Sequence, residues 1–90
     1  MARFEMSSSD MAALAPVAAP AEVYYELGCM YAAGRSVEPD LVVAHQWLNV
    51  AAARGFGPAA ARRAEIAAEM TAAQISNAQR SARLWLSRQH

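Results

Sequence analysis

The sequence predicts an all-α domain of about four helices, preceded by an N-terminal arm or tail. Three observations carry that expectation. Alanine fills 23 of the 90 positions, and alanine is the best helix former. From Val23 onward the apolar residues recur at helical spacing, not in alternation. Pro20, Pro39 and Pro58, with Gly34, Gly55 and Gly57, fall between those stretches and divide them. Ninety residues allow one small domain. Because alanine brings little apolar area, the helices are expected to pack closely around a thin core.

Residues 1–19 form the arm or tail, and residues 20–90 the helical domain. Pro16 and Pro20 push their predecessors out of the helical region, so the segment between them is extended. Composition reads this segment as a tail. The sharper alternative is a docking arm carrying Phe4, Met6, Met11, Leu14 and Val17.

The first helix starts at Pro20 or Ala21, with proline in its favoured first turn and Glu22 on the positive end of the dipole. Gly34 reads as its left-handed C-terminal cap. Val23, Leu27, Met30 and Tyr31 share one face, with Tyr24 at its edge. Gly28 sits beside that face and allows close approach of another helix. The second helix starts near Pro39–Asp40 and ends before Gly55. Its apolar arc, Leu41, Val43, Ala44, Trp47, Leu48, Val50 and Ala51, is wide enough to require neighbours on two sides. Val42, His45, Gln46, Asn49 and Ala53 make the other side.

Gly57–Pro58 opens the third helix, which runs to about Glu69 on Ala60, Ala64, Ile66, Ala67 and Ala68. Thr71-Ala72-Ala73-Gln74 is a capping box for the fourth, which runs to about Ser87. There Ile75, Ala82 and Leu86 lie together with Ala78 and Trp85, and Leu84 falls on the opposite, polar face. A single exposed leucine is ordinary, and it also marks an interface cheaply.

The spacing Val23-x-x-x-Leu27-Gly28-x-x-Tyr31-x-x-Gly34-x-x-Val37-x-x-Asp40-x-x-x-Ala44-x-x-Trp47-x-x-x-Ala51-Ala52-x-x-Gly55 resembles the Sel1-like repeat, a helical solenoid unit related to the tetratricopeptide repeat. The resemblance covers residues 23–55. It implies a short α-α solenoid: one repeat followed by a divergent C-terminal helix pair that caps it. Val23 departs from the alanine common at that position, and the second pair lacks the Leu-Gly step, with Arg63-Ala64 near its place. The resemblance also implies a protein-binding role, with the first helix of the repeat on the binding face. Tyr24 and Tyr25 match no marker and could make surface contacts, although packing against the arm or the fourth helix is an equally good reading.

The formal net charge is zero, which argues against a dedicated nucleic-acid binder. The charge is polarised, however. Residues 1–45 carry −4 and residues 46–90 carry +4, and every base is arginine. Arg62, Arg63, Arg80, Arg83 and Arg88 make a basic end, by default a solvated face. One cysteine, Cys29, rules out an intrachain disulfide and suits a reducing cytoplasm. Glu5 and Asp10 interrupt any signal-like apolar run. The longest uncharged run, Leu41–Ala53, is too short to span a membrane.

No catalytic or metal-binding constellation stands out, and no cofactor is expected. His45 has no companion ligand at metal spacing. Cys29 lacks the partner of a nucleophile. Gly55-Phe56-Gly57-Pro58 loses an amide donor to its proline, so it reads as a turn and not a phosphate loop.

The expected function is a non-enzymatic protein–protein interaction module, a small adaptor or accessory subunit of a larger assembly. Its candidate contacts are Tyr24, Tyr25, Phe4, Met11, Leu14 and Leu84. Fewer than two repeats make a marginal solenoid, since about three are usually needed, so a partner is also expected on stability grounds. Self-assembly, the acidic half of one chain on the basic half of the next, is the alternative. A nucleic-acid accessory role through the arginine-rich end comes third.

Overall fold

The computed structural model describes residues 19–88. They form four helices: α1 (Ala21–Ala33), α2 (Leu41–Ala53), α3 (Gly57–Ala67) and α4 (Ala72–Ser87). Among the described residues there is no strand. The expectations for residues 1–18 lie outside the described residues.

The helix ends follow local chemistry. At the end of α1, Gly34 has φ +74°, and the amides of Gly34 and Arg35 both donate to the Met30 carbonyl. Ser36 also adopts a left-handed φ of +66°, a conformation that costs a residue with a Cβ about 1–2 kcal/mol. The loop is held back on the helix by Asp40 N–H donating to the Tyr31 carbonyl at 3.1 Å. The Asp40 carboxylate then caps α2 by accepting from Val43 N–H. Gly55, at φ +95°, turns the chain toward α3, where Pro58 stands in the first turn. Thr71 and Gln74 form the reciprocal capping box of α4, at 2.9 and 3.1 Å. The third helix stops at Ala67, two residues short of the expected end.

The second helix is the hub. It packs on α1, α3 and α4. Ala44, Trp47, Leu48, Val50 and Ala51 have no exposed surface. His45 and Gln46, expected on a polar side, are also buried, at 3% exposure each. A helix enclosed on three sides has little polar face left, so the expectation fails there. Helix α3 is turned as well: Ala59 and Ile66 are buried, while Ala60, Ala64 and Ala68 are exposed. With alanine at six of its positions or just beyond, hydropathy could not orient that helix.

Close approach of α1 and α2 depends on Gly28. A Cβ there would lie 2.7 Å from Leu48 Cγ and 3.1 Å from the Ala44 carbonyl oxygen. That contact rotates α1. Its buried stripe is Tyr24, Gly28 and Tyr31, not the stripe centred on Leu27. Val23, Leu27 and Met30 are left half-buried on the outer flank.

Candidate protein-docking surface

Rotation of α1 has two consequences for the candidate contacts. The first is a correction. Tyr24 was a candidate surface contact, but it has 0% exposure, so the alternative of packing on the fourth helix holds. Its ring stacks on Trp47 of α2, with centroids 5.9 Å apart and planes 11° apart. Trp85 of α4 meets both edge-on, at 5.1 Å from Tyr24 and 5.3 Å from Trp47. The three large rings bind three helices together, which is why Tyr24 turns inward. Arg54, just past α2, covers this cluster. Its guanidinium lies 5.8 Å from the Tyr24 centroid and 5.7 Å from that of Trp85. The sequence reading missed Arg54 as a contact, because nothing local links it to rings 30 residues away on either side.

The second consequence is an open groove of about 400 Å³ on the outer flank of α1. Val23, Leu27 and Met30 give it an apolar floor at i, i+4 and i+7 spacing. Glu26 stands on its wall, and Arg35 and Ser36 of the following loop close one end. Glu22, exposed and four residues before Glu26, extends the acidic rim. Leu27 and Met30 still pack in part against the core, and their outer sides continue with Val23 as the uncovered stripe.

Tyr25 is half-buried on the α3 side, where its ring packs against Phe56 at 5.0 Å. The neighbouring Cys29 thiol raises the Tyr25 pKa above the usual tyrosine value. Leu84 is half exposed on α4, as its polar surroundings implied. Phe4, Met11 and Leu14 lie outside the described residues.

The basic residues divide between α3 and α4. Arg62 makes an ion pair with Glu65 at 2.8 Å on the exposed side of α3. Arg63, half-buried, donates to Asn49 Oδ1 of α2 at 2.6 Å. Arg63 also faces His45. Burial first, and the Arg63 charge second, push the His45 pKa below its ordinary value, favouring neutral imidazole. Arg80, Arg83 and Arg88 remain exposed on and just beyond α4, with Arg80 donating to Asn77 at 2.9 Å.

The positions that carry the resemblance to the Sel1-like repeat have distinct places. Gly28, Tyr31, Ala44, Trp47 and Ala51 are buried. Val37 and Ala52 pack half-buried against the core, and Leu27 lines the groove. Gly34 and Gly55 take positive φ, and Asp40 caps α2. Among the described residues no three of His, Cys, Asp and Glu are grouped to hold a metal ion. None of the described helices is long and apolar enough to cross a membrane.

Fold and surface together define an all-α four-helix domain with an uncovered apolar groove on its first helix. No protein-family model, curated protein or solved structure matches the chain.

Proposed function

We propose that this chain is a non-enzymatic protein-interaction module, a small adaptor or accessory subunit working in the cytoplasm. In this reading α1 and α2 are one Sel1-like repeat, and α3 and α4 are the divergent pair that caps a short solenoid. The groove on α1 takes an apolar segment of another protein chain. One observation carries the reading: Val23, Leu27 and Met30 stand in line on a helix flank that no described helix covers. An apolar stripe rimmed by charge suits an amphipathic helix of a partner. The groove's lining sets three apolar side chains beside Glu26, Arg35 and Ser36, a mixture that suits an amphipathic segment.

A photoreactive residue in place of Leu27 tests this in intact cells. Ultraviolet light should give a discrete adduct with another protein chain. The same probe at exposed Glu69, on the α3–α4 turn, should not give that adduct. Absence of an adduct specific to position 27 would sink the reading.

A further inference from the structure

The strongest feature outside the groove is the exposed ridge of α4. Leu84, half exposed, is the large apolar side chain that stands out on the described surface. Arg80 and Arg88 lie one turn before and after it, and Arg83 is adjacent. The groove on α1 has the opposite character, an apolar floor beside Glu22 and Glu26. Helix α1 contains acids and no base; α4 contains bases and no acid. Among the described residues the ion pair made is Arg62–Glu65, so the charges of both surfaces are unspent within the domain.

We propose that the segment seated in the α1 groove is α4 of a second copy of this chain. This rests on the groove being a docking surface and names its occupant. Leu84 enters between Val23, Leu27 and Met30, and Arg80 and Arg83 meet Glu22 and Glu26. Pairing α1 with α1, or α4 with α4, would oppose like charges, so the contact joins unlike surfaces. Such a contact leaves a free groove on one copy and a free ridge on the other unless the assembly closes on itself.

The test is analytical ultracentrifugation of the purified full chain, with two exposed-site variants, Leu84→Asp on the ridge and Glu26→Arg on the rim. Circular dichroism confirms that both stay helical. The wild type should exceed monomer mass at tens of micromolar in low salt and fall toward monomer at about 0.5 M salt, where screening is strong. Each variant should weaken self-association by at least about tenfold, or roughly 1.4 kcal/mol. Mixed together, the two should form a species of two chains and no larger, using the one intact groove and the one intact ridge. A wild type that stays monomeric at low salt, or variants that associate like the wild type, would overturn the proposal. So would a mixture that stays monomeric. If the Leu27 probe then still captures a different protein, the docking reading stands and only this occupant is wrong.

Discussion

Tyr24 and Trp47 lie face to face across α1 and α2, with ring planes 11° apart. Trp85 closes the triangle from α4, and both members of the stacked pair are fully buried. In a chain one quarter alanine, these three rings supply much of the large-side-chain surface available to the core. The cluster explains how a small domain with little leucine can hold α1 and α4 on the hub helix α2.

Truncating the stacked tyrosine should therefore act on folding. Tyr24→Ala is expected to cost about 3–5 kcal/mol, enough to unfold most of a marginally stable small domain. Tyr24→Phe keeps the ring and should remain folded. Urea unfolding followed by tryptophan fluorescence separates the two; a stably folded Tyr24→Ala variant would contradict the cluster's role.

Arg54 should contribute on a smaller scale. Its guanidinium covers Tyr24 and Trp85 from a solvent-exposed position. Removing it as Arg54→Ala should cost about 0.5–1 kcal/mol, the usual range for exposed cation–π contacts. Tryptophan emission should shift as the cluster loses its cover. Equal stability and an unchanged emission spectrum would argue that the cation makes no net contribution.

Gly28→Ala sets two effects against each other. In a helix interior alanine is favoured over glycine by up to about 1 kcal/mol. Here the new Cβ meets Leu48 Cγ at 2.7 Å and the Ala44 backbone oxygen at 3.1 Å. Since neither is the loose end of a long side chain, overpacking at about 1–3 kcal/mol should win. The expected result is a lower denaturant midpoint; a higher one would mean that α1 and α2 are less close than described.

His45 should make stability depend on pH. Its folded pKa lies below the ordinary value of 6.5, through burial and the facing Arg63. The unfolded chain therefore binds a proton more readily than the folded one. This contribution is complete above about 6.5, the unfolded value, and is lost as pH falls below it toward the folded value. Asn49 accepts a hydrogen bond from Arg63 and leaves that charge in place beside the imidazole. Wild type should lose stability between pH 7.5 and 5.5, while His45→Gln should lose less over about the same interval. Parallel profiles for the two would remove His45 as the cause.

Much of the local architecture was legible because local groups cause it. Gly34 needed only its φ freedom, Asp40 only a side-chain acceptor three residues before Val43, and Thr71 and Gln74 only each other. Leu84 was legible as exposed because its neighbours along α4 are polar. Facing was harder. Glycine has almost no weight in a hydropathy pattern, so the reading of α1 centred on Leu27, although Gly28 permits the closest helix approach. The signal was present in the i, i+4, i+7 stripe of Tyr24, Gly28 and Tyr31.

The same distinction separates what each level determined. By itself the sequence specified an all-α chain, the starts of its four helices, their capping residues and a charge polarity between its halves. Those properties come from backbone propensity, caps and composition, which act within a few residues. Tertiary packing decided that Tyr24 is core and Leu27 is groove, that His45 and Gln46 are enclosed, and that Arg54 covers the aromatic rings. Those outcomes depend on how near one helix comes to another, and that distance is set by Gly28 against Leu48 and by three rings from three helices meeting at one point.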